Sequence, residues 1–281
     1  MASRTVTQPS ARYRPVQGRS RLAWAFLDAI VLARRSLLQT LRVPQLIVFV
    51  TIQPIMFVLL FRYVFGGAIR VPGGEYVNYL MPGIFVQTIA FGGVTTGIGL
   101  AEDMQRGLVD RFRSLPMAPS AVLTGRTLAD LARNLFTVLV MLAVGFAVGF
   151  RPHGTLAEFL LAMLVVVGFS FAFSWISALV GISVGSVEAA QSGGFIWMFP
   201  LTFASSVFVP VASMPSWLQP FAEHNPVSVV ANSLRGLFHV DPSLTAADTR
   251  LALIQSGAWI VGILLVFVPL SVARYRRTTR G

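Results

Sequence analysis

Six runs of about twenty residues, almost empty of ionisable side chains, constrain this chain more than anything else in it. They cover residues 45–65, 79–101, 131–150, 159–184, 194–211 and 253–273. A helix rises about 1.5 Å per residue and the hydrocarbon layer is about 30 Å thick, so one run of this length suits one bilayer crossing. None of the runs alternates polar and apolar residues, and all are too long for barrel strands. With 55% hydrophobic residues, 12% charged residues and a mean hydropathy of +0.72, the 281-residue chain reads as an all-α integral membrane protein with six transmembrane helices.

Charge sets the orientation. With the N-terminus cytoplasmic, the inner segments hold 17 of the 22 basic residues and six of the 11 acids, and the outer segments hold five of each. The net charge of +11 then lies wholly on the cytoplasmic face, as the positive-inside rule expects, with both termini inside. That distribution removes any need for nucleic acid as a partner. Residues 1–19 carry arginine and serine without acids and are read as a disordered basic cytoplasmic tail, although a transit peptide has the same composition. Over 20–42, Leu22, Phe26, Ile30, Ala33, Leu37 and Leu41 recur at helical spacing opposite Arg21, Asp28, Arg35, Gln39 and Arg42. This predicts an amphipathic helix lying on membrane lipid at the inner leaflet. Residues 274–281 form a second basic cytoplasmic tail.

The sequence excludes much chemistry. It has no cysteine, hence no disulfide, thiol nucleophile or thiolate metal site, and His153, His224 and His239 lie in separate polar segments without ligand spacing. It has no lysine, so it lacks the phosphate-gripping residue of a P-loop, and no nucleotide, cofactor or metal is expected on it. The runs contain no acid at depth of the kind that ion-coupled carriers use. Gly181 to Gly185, GISVG, matches a serine-nucleophile pattern, but Ser183 falls at a helix end with every histidine expected on the opposite side of the membrane. Ser177, Gly181 and Gly185 instead read as a small-residue packing seam, as do Gly93 with Gly97 and Gly145 with Gly149. Among the polar groups of the runs, Gln53, Gln87, Thr95, Asn134, Ser174, Trp175 and Thr202 are candidates for lining a path for a hydrophobic substrate.

One insert breaks the apolar pattern: EDMQRGLVDRFRSLPMAPSAVLTGR, Glu102 to Arg126. Six of the twelve residues from Glu102 to Arg113 are ionisable. At roughly 3 kcal/mol per charge at a bilayer centre, burial in lipid would cost on the order of 18 kcal/mol, so the insert faces water. Met104, Leu108, Phe112 and Leu115 form one apolar stripe, and Pro116 and Pro119 end it. Ser120 is placed to cap the helix that follows. The result is a short amphipathic helix at the tip of a cytoplasmic hairpin, able either to lie on lipid or to plug into a groove of a soluble protein.

The same segment resembles the signature of permease subunits of type 2 ABC exporters, in the drug-resistance branch typified by daunorubicin/doxorubicin exporter permeases. A second stretch, MPSWLQPFAEHNPVSVVANSLRG from Met214 to Gly236, is similar to that family's outer segment before the sixth span. The resemblance implies a coupling helix at 102–116, with Glu102, Arg106, Gly107, Asp110, Arg113, Leu115 and Pro116 docking on a separate ABC ATP-binding subunit. It also implies outer re-entrant helices within 213–236, built on Pro215, Trp217, Pro220, Asn225, Pro226 and Arg235. Two ATP-binding subunits, which use ATP and Mg, and a second permease subunit of the same or a related chain complete the assembly that the resemblance implies. The setting it implies is the bacterial plasma (inner) membrane, and the activity is outward movement of a hydrophobic or amphiphilic substrate such as a drug, antibiotic, lipid or glycolipid. The readings set beside it are a membrane-embedded acyltransferase or protease and a self-sufficient secondary carrier.

Overall fold

Backbone that crosses hydrocarbon must satisfy its own N–H and C=O groups, and a helix does so within one segment. The computed structural model describes residues 44–69, 71, 75–106 and 119–278, and every regular element among them is helical. Helix α1 (Pro44–Leu59) continues into a π-helical turn, Leu60–Phe65. There follow α2 (Tyr76–Gln105), α3 (Pro119–Ala147), α4 (Leu156–Ser183) and α5 (Val187–Phe203). After a short 3₁₀ turn come α6 (Gln219–His224), α7 (Pro226–Leu237) and α8 (Ala246–Thr278). Among the described residues, four helices, α2, α3, α4 and α8, are long and apolar enough to cross a membrane. The expected interfacial helix at 20–42, the tail at 1–19 and the tip of the hairpin at 107–118 lie outside the described residues.

Three helices begin on polar residues that the apolar windows leave out. Thr155 caps α4 reciprocally with Glu158, the backbone N–H of Thr155 donating to Glu158 Oε2 at 2.7 Å and that of Glu158 to Thr155 Oγ1 at 3.3 Å. Thr245 and Asp248 make the same exchange at the start of α8. Ser186 Oγ accepts from the Ala189 N–H and starts α5. The fifth helix thus runs 187–203, not 194–211, because its end is also chosen by side chains. The Asn225 amide donates to the carbonyls of Leu201 and Ala204, and the Arg235 guanidinium takes those of Ser206 and Val207. Carbonyls freed at a helix end need such partners.

Helix α2 runs through the middle of the bundle against α4, α5, α3 and α7, and most of its residues are buried. Its approach to α4 depends on glycine, since a Cβ at Gly97 or at Gly181 would fall on the backbone of the facing helix. The expected seam is therefore made by Ser177 and Gly181 against Gly97, while Gly185 faces open space. Gly149 is no seam residue: at φ +103 it forms the turn after α3, a conformation that L side chains resist.

Candidate functional site

Between α1, α2 and α3 the bundle leaves a cavity of roughly 670 Å³, its open mouth included. Gln53, Pro54 and Phe57 line it from α1, Gln87, Thr88, Phe91, Gly92 and Thr95 from α2, and Asn134 and Thr137 from α3. No ionisable side chain is among them. Several polar groups are already engaged: Thr95 Oγ1 donates to the Gly92 carbonyl at 2.7 Å, Asn134 Nδ2 to Ser170 Oγ at 3.0 Å and Thr137 Oγ1 to the Arg133 carbonyl at 3.1 Å. Gln87 and Thr88 are not, although they are only 4% and 8% exposed, and the Thr88 hydroxyl is buried without any partner. Buried polar groups normally find one. An amide and a hydroxyl held open between Phe57 and Phe91 can bind an apolar ring system that carries a hydroxyl or carbonyl.

The cavity brings together four of the seven residues expected on a path, Gln53, Gln87, Thr95 and Asn134. Ser174 stands behind it, its hydroxyl donating to the Ser170 carbonyl. Trp175 packs elsewhere, in a cluster with Leu100, Leu123 and Tyr275. Thr202 is buried near the end of α5 and does not line the cavity. Thr88 was missed by the sequence reading, which had no way to see that this threonine lacks a partner. Gly92 was missed too, and it makes room for Asn134, whose amide a Cβ there would strike.

At the hairpin end of the bundle, the end expected to face the cytoplasm, Glu102 and Arg106 form an exposed ion pair one turn apart on α2. The other expected docking residues, Gly107, Asp110, Arg113, Leu115 and Pro116, lie outside the described residues. Beside that pair is a row of charges that the sequence reading left in the aqueous hairpin or at a helix end. Arg126 Nη1 donates to Asp103 Oδ2 at 2.9 Å and its Nε lies 3.6 Å from Asp130 Oδ2. Arg133 Nη2 pairs with Asp130 Oδ1 at 2.9 Å and donates to Thr95 Oγ1. The spacing of 126, 130 and 133, four and then three, was the available signal, since it puts all three on one helix face. Because the ions neutralise each other, helix α3 can begin at Pro119, well before the apolar window at 131.

At the opposite end of the bundle, the end expected to face outward, Arg235 is completely buried. Its Nε donates to the Tyr79 carbonyl at 3.0 Å, Nη1 to Asn232 Oδ1 at 2.7 Å and to Ser206 Oγ at 3.0 Å, and Nη2 to the Ser206 carbonyl at 2.6 Å. The guanidinium carbon sits 3.6 Å from the centre of the Tyr79 ring. Asn225 caps α7 through the Val227 N–H and so joins α7 to the end of α5. Pro226 is buried at the start of α7. Pro215 and Pro220 are exposed, and Trp217 is 76% exposed.

Residues 28–239 match the ABC-2 type transporter family. This chain belongs to that family. It is a membrane permease, a transport subunit without an ATPase of its own that works with an ATP-binding subunit. Similar proteins include the daunorubicin resistance ABC transporter permease of Streptomyces coeruleorubidus, 34% identical over 83% of this chain and 80% of that protein. Another, from Mycobacterium tuberculosis, is named a probable doxorubicin resistance ABC transporter permease and is 30% identical over 80% of each chain.

As an ABC-2 permease the chain is a multi-pass membrane protein, and the embedded-enzyme and self-sufficient-carrier readings are set aside. Ser183 is accordingly an exposed residue at the last turn of α4, with Gly181 serving the α2 contact.

Proposed function

We propose that this permease exports an amphiphilic, largely apolar molecule across the bacterial plasma membrane, driven by a separate ATP-binding subunit that grips the 102–116 hairpin. The observation that supports the substrate class is the cavity, with aromatic walls, an open amide and hydroxyl at Gln87 and Thr88, and no ionised lining. Drug, antibiotic and lipid-like molecules share that chemistry, and the names of the two relatives put anthracycline-type drugs among the first to try.

In this reading helices α1 and α5 cross the membrane as well, giving six spans with both termini in the cytoplasm. Two permeases stand side by side over two ATP-binding subunits, which hold the ATP and Mg. Closure of the ATP-binding pair drags the two hairpins through Glu102, Arg106, Gly107, Asp110, Arg113, Leu115 and Pro116, and the spans tilt to open outward. The outer segment carrying Pro215, Trp217, Pro220, Asn225, Pro226 and Arg235 dips back toward the membrane and acts as the lid.

Inside-out vesicles containing this permease and its ATP-binding subunit test the proposal. ATP should drive daunorubicin into them, and the double variant Arg106→Glu and Arg113→Glu should abolish uptake while the chain still inserts in the membrane. Undiminished ATP-driven uptake by that variant would remove the hairpin from the mechanism.

A further inference from the structure

Asp103, Arg126, Asp130 and Arg133 make a continuous ion-paired row that neither the docking surface nor the cavity uses directly. On α3 the three charged residues share a face by their spacing, and on α2 Thr95, Gly99 and Asp103 recur every four residues opposite them. Gly99 is the seat for Arg126, because a Cβ there would fall on the guanidinium. The side chains of Asp103, Arg126, Asp130 and Arg133 are 31%, 23%, 4% and 17% exposed, so the row passes from the water-facing rim into the bundle. One end is Asp103, four residues before Gly107 in the sequence. The other is Arg133, bonded to the Thr95 hydroxyl in the cavity wall. Two acids balance two arginines, so the row carries no net charge into the low-dielectric region, and separating any member would strand its neighbour there.

We propose that Asp103, Arg126, Asp130 and Arg133 are positioning residues of the transport cycle, which lock the inner halves of α2 and α3 into one piece so that movement of the hairpin reaches the cavity at Thr95. Helices held only by apolar contact can slip past one another, and a pull on their connecting hairpin is then absorbed at the joint. A helix pair pinned by the Asp103–Arg126 ion pair and the Arg133–Thr95 hydrogen bond, both arginines being held in place by Asp130, cannot slip without parting them, and it carries the displacement inward. The inference rests on the proposed export reading, with the hairpin as the point where force enters.

The test uses the same vesicles, measuring ATP hydrolysis and daunorubicin uptake together, with a cysteine-free ATP-binding subunit. The permease itself has no cysteine, so introduced thiols react alone. Wild-type vesicles decide the export reading first: without ATP-driven uptake there, that reading fails before the row is tested. Given uptake by the wild type, the double variant Asp103→Cys and Arg126→Cys should keep hydrolysing ATP while uptake per ATP falls roughly tenfold, in the range that coupling networks carry. Bridging the two thiols with a bifunctional reagent should restore most of the lost uptake, since the tether replaces the ion pair. Full coupling in the unbridged variant, or a bridge that leaves or deepens the loss, overturns the proposal. Should the double variant not reach the membrane, Gly99→Ala displaces Arg126 with every ionisable group retained. It should lower uptake per ATP, and an unchanged ratio overturns the proposal equally.

Discussion

The two ends of the bundle are braced by arginine in opposite ways. At the outer end the buried guanidinium of Arg235 is surrounded by carbonyls, a hydroxyl, an amide and the face of a tyrosine, with no carboxylate bonded to it among the described residues. At the inner end Arg126 and Arg133 alternate with Asp103 and Asp130. The outer brace is directional: Nε is used toward α2, Nη1 toward Asn232 of α7 and the Ser206 hydroxyl, and Nη2 toward the Ser206 and Val207 carbonyls, so it fixes α7 against α2 and the segment after α5. The inner brace is Coulombic and less demanding in geometry, and it joins just two helices next to the hairpin. In the proposed export cycle, pushed from inside and opening outside, the inner pair moves as a body and the outer end keeps one defined closed arrangement.

The largest expected effect breaks the outer brace. Arg235→Ala empties a fully buried site and removes the hydrogen bonds to Tyr79, Ser206, Asn232 and Val207, and should cost roughly 3–5 kcal/mol, read as a lowered melting temperature in detergent. Arg235→Lys should lose nearly as much, because an ammonium cannot reproduce the planar fork. If the inner brace is Coulombic as described, Arg126→Lys should cost under about 1 kcal/mol, and an equal loss at both positions would erase the contrast. Asn225→Ala removes two carbonyl contacts and a helix cap and should cost about 1–3 kcal/mol, less than Arg235→Ala in the same melting assay.

Smallest in stability is Thr88→Val in the cavity between the two braces. The hydroxyl has no partner, so melting should shift by no more than about 0.5 kcal/mol while daunorubicin uptake falls, and a large melting change would mean that the hydroxyl is bonded after all.

Much of this architecture was legible in the chain, and the exceptions share a cause. Apolar length located the helices, because hydrocarbon thickness sets that length directly. It missed where α3 and α5 begin and end, since those limits depend on polar groups satisfied from elsewhere: Asp130 by arginines, the Leu201 carbonyl by Asn225. A hydropathy window counts each charge as a penalty and cannot see its partner. Gln53, Gln87, Thr95 and Asn134 were recognisable as candidates from their chemistry, yet Thr202 and Trp175 have the same chemistry and lie elsewhere. Arg235 stood out within its motif, but only the fold shows that it is buried against Tyr79, 156 residues away.

The central claim is that force enters through the hairpin from a separate ATP-binding subunit. The most direct measurement places one photo-crosslinking thiol label at Asp110→Cys, in a chain with no other cysteine, and identifies the adducts in turning-over membranes. The account predicts a covalent adduct with the ATP-binding subunit whose yield changes when ATP is added. Adducts with phospholipid alone, or labelling of position 110 by an impermeant reagent from the outer face, would contradict it.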